Sequence, residues 1–336
     1  MSYSQYGLIS ASDFNNFVGT TTATTRGYLN SIWGVGYRNS GYGQTPISNV
    51  TNSNTVSHTE WDNFLTAFNK IAKHTGLSST DLFTLPVAAS DPPNSPNDLT
   101  PQHVITYNSL IPSKLGILYQ YQNSAAAQGT TSTVSTVRTA SWNDSLTFTN
   151  IIAFESADKA RYFFNAGGQI ALTFSHPTGS TVNQLFSELA TAMGTIVISS
   201  PGISTPSTTQ SITIAGTTYT GITKIGGSGT YSTPVNTGYY GLTPFYQPVY
   251  KQFAGGVLYK YLQSYANISI KSNGTQGLRG DAGTVITIQT TFDEIPNGIV
   301  ATSGTTVNCT IRYPSSSPNL INTWGTPLVT GSVTGN

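Results

Sequence analysis

The sequence predicts a mainly β protein with α additions: a small N-terminal helical module, then an antiparallel β-sandwich-like domain with two short helical insertions. Three observations carry this. Short Thr-, Val-, Ile- and Tyr-rich runs recur from about residue 129 onward, bounded by turn residues, as strands require. Gly (33) and Pro (17) are frequent enough to supply a tight turn between most of those runs. Helical segments, by contrast, are expected in the first 85 residues, briefly near Ser109 to Leu118, and in two later insertions.

In the N-terminal part, residues 1–85, one pattern occurs twice. Ile9-Ser10-Ala11-Ser12-Asp13-Phe14-Asn15-Asn16-Phe17-Val18 aligns with Val56-Ser57-His58-Thr59-Glu60-Trp61-Asp62-Asn63-Phe64-Leu65. Each reads as a helix start. Ser10 and Ser57 cap the first amides, and Asp13 and Glu60, three residues on, are placed to complete capping boxes. Ile9 with Phe14, and Val56 with Trp61, occupy the positions of a hydrophobic staple. The second helix continues through Phe68, Ile71 and Ala72 to a stop at Gly76, whereas the first breaks at Gly19. Phe14, Phe17, Trp61, Phe64 and Phe68 are the candidate residues of an attachment module. Residues 86–128 read as a connector, with Asp91-Pro92-Pro93-Asn94 as linker chemistry and a short helix near Ser109 to Leu118.

The β-rich domain spans 129–336. Its expected strands are Thr131–Ala140, Ser145–Phe154, Gln169–Ser175, Thr195–Ser200, Gln210–Tyr219, Tyr265–Ser272, Thr284–Phe292 and Thr305–Tyr313. Helices are expected over Ser156–Asn165 and Thr181–Met193, the latter ending at Gly194. Residues 226–248, rich in Gly, Tyr and Pro, read as a loop excursion. Its aromatics Tyr231, Tyr239, Tyr240, Phe245 and Tyr246, with Tyr250 just beyond, offer rigid amphipathic contact area for a protein or sugar surface.

Composition restricts the function classes. Only 8% of residues are charged, against roughly 25% in an average globular protein. Solubility therefore rests on hydroxyls and amides. The 14 basic residues are scattered singly and the net charge is +1, so no nucleic-acid partner is expected. No run approaches a membrane span, and the start MSYSQYGLIS lacks the basic and apolar regions of a signal peptide, so no membrane insertion is expected. The single cysteine, Cys309, has no intrachain partner for a disulfide.

No catalytic, cofactor or metal motif emerges. His58, His74, His103 and His176 are far apart and form no HExxH pattern. Gly226-Gly227-Ser228-Gly229 lacks the strand-to-helix context of a nucleophile elbow, and Gly34-Val35-Gly36 lacks the lysine of a phosphate loop. Asp293 and Glu294 are adjacent at a predicted strand end, so they point to opposite faces and make a poor acid–base pair. They read as a solvated end before a turn at Pro296-Asn297-Gly298. Asp144, Glu155, Asp158 and Glu188 show no supporting spacing. Arg279-Gly280-Asp281 reads as a chance tripeptide in a polar loop.

The chain resembles a group of virion structural proteins of tailed, marine and cyanobacterial bacteriophages. The resemblance is carried by Ile9 to Asn15, Gly41-Tyr42-Gly43-Gln44, Glu60-Trp61-Asp62-Asn63 leading to His74-Thr75-Gly76, and Met193-Gly194-Thr195. Its most specific part runs from Asp158 through Lys159-Ala160-Arg161-Tyr162-Phe163-Phe164 to Gly168. It spans residue 9 to about 313 and implies a tail, baseplate or fibre component. The expected partners are copies of the chain itself and other virion proteins, assembled in the host cytoplasm, with no cofactor. A receptor-binding fibre or adhesin contacting host-surface glycan is the alternative; a glycan depolymerase, or decoration of the capsid or neck, ranks below it.

Overall fold

A computed structural model describes residues 10–20, 28–36, 40–51, 56–83, 106–201, 203–205, 208–209, 211–229, 237–255, 263–274, 282–294, 300–316 and 318–336. Ile9, the linker around Pro92, His103, Tyr231, the Arg279-Gly280-Asp281 tripeptide and the Pro296-Asn297-Gly298 turn lie outside the described residues. The chain divides into two compact units, Met1–Ala127 with Ser315–Thr323, and Gln128–Pro314 with Trp324–Asn336.

The first unit contains helices α1 (Ala11–Val18), α2 (Leu29–Trp33), α3 (His58–His74) and α4 (Ile111–Tyr121). Ser10 Oγ accepts the Asp13 amide at 3.3 Å. At α3 the capping box is complete: the Ser57 amide donates to Glu60 Oε2 at 2.6 Å and the Glu60 amide to Ser57 Oγ at 3.3 Å. Gly76, at φ 74, turns the chain out of α3 while the Leu77 amide returns to Ala72 O at 2.9 Å. The segment expected as a connector is helical from residue 106. Ile111, Leu115 and Leu118 recur at helical spacing and bury one face of α4 within the first unit.

Carboxamides tie this unit together. Asn15 pairs through both its amide atoms with the backbone of Val50, donating to the carbonyl and accepting from the amide, each at 2.8 Å. Asn30 does the same with Ile47, Asn69 with Phe83 and Gln44 with Ile321. A carboxamide offers the same donor and acceptor as a peptide unit, so each pair satisfies a loop's backbone without an ion. In a chain this poor in charge, Asn and Gln do what salt bridges do elsewhere.

The second unit holds two five-stranded antiparallel sheets. Its strands are β1 (Gln128–Val137), β2 (Ser145–Ala153), β3 (Gln169–Ser175), β4 (Thr195–Ile198), β5 (Ile212–Ile214), β6 (Thr217–Tyr219), β7 (Ile222–Ile225), β8 (Gln247–Phe253), β9 (Tyr265–Ser272), β10 (Val285–Asp293), β11 (Thr306–Pro314) and β12 (Leu328–Gly335). The first sheet runs β7-β4-β3-β11-β1 and the second β8-β9-β10-β2-β12. Two helices, α5 (Ala157–Asn165) and α6 (Thr181–Met193), are inserted between strands where the sequence places them. The architecture is β-sandwich-like with helical additions.

Strict alternation puts Ile268 and Ile270 of β9, Ile286, Ile288 and Phe292 of β10, and Leu146, Phe148 and Ile152 of β2 on one buried face. Phe292 is the meeting point of the core. Its ring lies 6.3 Å from Phe148, 6.4 Å from Phe174 of β3 and 6.3 Å from Phe186 of α6. Cys309 is buried on the inner face of β11, where burial pushes its thiol up to about 12.

The opposite faces are hydroxyl-rich and sparsely charged. Thr133 and Thr310 join hydroxyls across β1 and β11 at 2.9 Å, and Thr147 and Thr291 across β2 and β10 at 3.0 Å. Strands β7, β8 and β12 are additional to the sequence expectation, as is a short antiparallel pair, Ile203–Thr205 with Thr208–Thr209. The segment expected as one strand over Gln210–Tyr219 is instead the hairpin β5–β6, turned by Ala215 and Gly216, both at positive φ.

Candidate functional site

Three groups of side chains compete for a functional role. The first is the aromatic set of the N-terminal unit. Phe14, Phe17, Trp61, Phe64 and Phe68 are all buried. The Trp61 ring lies 5.0 Å from Phe14, 6.1 Å from Phe17 and 5.7 Å from Phe64, mostly edge-on, and Phe68 packs on Phe83 at 4.9 Å. These residues build the unit's core and present no surface of their own.

The second group, the tyrosine-rich segment, is divided by the fold. Tyr239 is buried and stacks on Phe164 of α5 at 4.4 Å, nearly coplanar. Tyr240 donates its hydroxyl to Asn165 Oδ1 at 2.5 Å. Tyr250 is buried in β8 and donates to Gln252 Oε1 at 3.0 Å. Tyr239 and Tyr250 thus leave the candidate contact surface, because long-range packing against the sandwich claims them. Phe245 (78% exposed) and Tyr246 (39% exposed) remain on it.

The structure adds neighbours that the sequence reading passed over. Lys271 sits over the Tyr246 ring at 4.4 Å. At the other end of β9, Lys251 sits 3.7 Å from the Tyr265 ring and 4.7 Å from that of Phe253, which is 42% exposed. Tyr265 donates to Asp293 Oδ2 at 3.1 Å. Burial first, then that hydrogen bond and the carboxylate's charge, raise the Tyr265 phenol above its ordinary range. Tyr265, Asn267, Ser269 and Lys271 alternate along β9 onto this one face, giving a stripe about 20 Å long at roughly 3.3 Å per residue. Exposed rings with cations on them and amides between them suit contact with a polar, uncharged surface. The alternation in Tyr265–Ser272 was the available signal.

The third group is a buried polar chain. Trp142 Nε1 donates to Thr305 Oγ1 at 2.9 Å, and Thr305 Oγ1 lies 2.8 Å from His176 Nδ1. His176 Nε2 lies 3.1 Å from Asn183 Oδ1, which also accepts the Thr302 amide at 3.0 Å. Since Asn183 Oδ1 only accepts, His176 donates from Nε2, and in the neutral imidazole Nδ1 is then the acceptor facing the Thr305 hydroxyl. Burial lowers the imidazole's pKa from 6.5, against the opposing Asn183 hydrogen bond. The folded state then binds fewer protons than the unfolded chain below that value. Stability is complete above about pH 6.5 and declines as pH falls, by at most about 1.4 kcal/mol per pH unit from this group. The urea midpoint is therefore expected to drop between about pH 7.5 and about pH 5.5. His176→Gln should shrink that drop; an undiminished drop would remove His176 as its source.

Three of the carboxylates singled out in the sequence have local partners. Glu155 pairs with Lys159, Asp158 with Arg161 at 2.8 Å, and Glu188 accepts from Gln184 at 2.8 Å. Asp293 is half-buried, but Glu294 is fully buried, so the expectation of a solvated strand end is corrected there. Its amide donates to Asp144 O at 2.8 Å and draws the chain inward. Among the described residues no three His, Cys, Asp or Glu side chains group as metal ligands, and no helix is long and apolar enough to cross a membrane. No protein-family model, curated protein or solved structure matches this chain.

Proposed function

We propose that the chain is a structural protein of a bacteriophage virion, associated with the tail, baseplate or fibre, that works through contacts with copies of itself and with neighbouring particle proteins. The observation that carries this reading is the exterior of the second unit: sheet faces dominated by Thr, Ser, Asn and Gln, with hydroxyl rungs such as Thr133–Thr310 and Thr147–Thr291, and with Lys251, Lys271 and Asp293 stacked on or bonded to tyrosines. Covering such a face desolvates few charges, so it suits a large permanent interface. The resemblance spread from residue 9 to about 313 points the same way. The test is quantitative mass spectrometry of gradient-purified particles of the virus that encodes the chain. Several copies per particle are expected; recovery only in the soluble lysate would overturn the reading.

One observation favours a second role, contact with a host-surface glycan. Phe245 is the most exposed large apolar side chain among the described residues, and it adjoins the Tyr246–Lys271 pair. Retardation of the protein by host polysaccharide in affinity electrophoresis, abolished by Phe245→Ala with Tyr246→Ala, would support this role. Unchanged mobility of the unmodified protein would remove it.

A further inference from the structure

The two sheets of the second unit have four outer strands, and they are treated differently by the sequence. A sheet edge exposes backbone donors and acceptors that recruit another strand unless shortness, charge, proline or a bulge prevents it. The β7 edge is four residues long and carries Lys224, whose ammonium is bonded to Gly226 O and Gly229 O. The β8 edge carries Pro248, a bulge between Pro248 and Tyr250, and Lys251. Both are protected by these devices.

The other two edges carry neither charge nor proline, and on β1 the one register shift against β11 is confined to its start, between Gln128 and Thr131. Strand β1, QGTTSTVSTV, is ten residues long without a charge or a proline, and Gly129 to Thr133 are exposed on both faces. Strand β12, LVTGSVTG, is likewise uncharged, but the Arg138 guanidinium already donates to Gly335 O at 3.1 Å. A Cβ at position 331 would run into Thr136 Oγ1, so glycine there lets β12 lie close against β1. Among the described residues, β1 has a ladder partner, β11, on one side only.

The direction of its free groups follows from one hydrogen bond. The Arg138 amide donates to Thr305 O at 2.8 Å, in register with the β1–β11 ladder. Antiparallel alternation then turns the amides of Thr136, Val134 and Ser132 toward β11, and those of Val137, Ser135, Thr133 and Thr131 outward. Apart from Val134 and Val137, the side chains from Thr130 to Val137 are hydroxyls, each both donor and acceptor. Such an edge complements a copy of itself and offers nothing to a charged partner.

We propose that β1 is a self-association edge, pairing antiparallel with β1 of a second copy so that two five-stranded sheets become one continuous sheet across a two-fold axis. The proposal rests on the assembly reading above, since it names the surface by which copies meet. Sedimentation equilibrium of the full chain is expected to give twice the monomer mass. Thr133→Lys, which sets like charges against each other across the axis, and Thr133→Pro, which removes one outward amide while sparing the β11 ladder, are both expected to halve it. Thr133→Val keeps the backbone and is expected to keep the dimer. A monomeric unmodified chain, or a dimer whose mass Thr133→Lys leaves unchanged, overturns the proposal. Should either variant misfold, hydrogen exchange on the unmodified chain decides. The Thr131, Thr133 and Ser135 amides slow on concentration if the edge pairs, and exchange at an unchanged rate if it does not. Particles that assemble unchanged with Thr133→Lys would end this proposal and leave the virion reading intact. A β1-linked dimer absent from particles would do the reverse.

Discussion

Trp61→Ala is expected to cost the N-terminal unit about 3–5 kcal/mol, the range for deleting a large buried aromatic. Trp61 is buried where Phe14, Phe17 and Phe64 meet, and its ring joins α1 to α3. Removing it leaves a cavity and takes away three ring contacts together. A unit held by four helices and carboxamide pairs, each hydrogen bond contributing about 1 kcal/mol net, has little in reserve. Hydrogen exchange should read the result regionally. Amides of His58–His74 are expected to lose protection, while those of Tyr265–Ser272 and Val285–Asp293 keep theirs. Equal loss across both units would mean that they unfold as one.

Phe292→Ala is the corresponding experiment in the second unit, with a similar expected loss of about 3–5 kcal/mol. Its ring is fully buried and lies against Phe148, Phe174 and Phe186, which belong to both sheets and to α6. The strands bearing Phe148 and Phe174 are held by their ladders and α6 by its buried face, so none is free to move alone and fill the space. Phe292→Leu keeps part of the volume and should cost less. Chemical denaturation followed by near-ultraviolet circular dichroism measures both. A loss below about 1 kcal/mol for the alanine variant would show that Phe292 is not the junction of the core.

How much of this was legible in the sequence depended on whether the determining contacts were local. Strands β2, β9, β10 and β11 alternate apolar and polar residues, so their bounds and buried faces could be read directly. The capping box at Ser57 and Glu60 is local too, and it forms. Strand β8 escaped notice because Pro248 argues against a strand, and only the bulge makes room for it. Strand β12 has two glycines among eight residues, and the ladder with β2 supplies the order its own composition lacks. β7 is four residues long, too short to carry a periodic signal.

The candidate site shows the same division. The tyrosine-rich segment could be singled out from composition as a candidate contact surface, but which of its rings stay outside could not. Tyr239 goes to Phe164, 75 residues away in the chain, and nothing near Tyr239 announces it. The aromatic set of the N-terminal unit could be picked out by its spacing on two helices, but its place in the core follows from the contacts of Phe14 and Phe17 on α1 with Trp61 and Phe64 on α3. The Lys271–Tyr246 and Lys251–Tyr265 stacks depend on the register between β8 and β9. The open edge at β1 needs the sheet order before it can be recognised at all.

The claim on which the rest depends is that these hydroxyl-rich faces exist to be covered. Electron cryo-microscopy of the intact particle, at a resolution that lets the chain be traced, tests it most directly. The account predicts several symmetry-related copies, with the Thr133 edge paired to another copy and the Thr- and Asn-bearing faces against neighbours. A particle containing no copy, or copies whose sheet faces and β1 edge all stand in solvent, would contradict it.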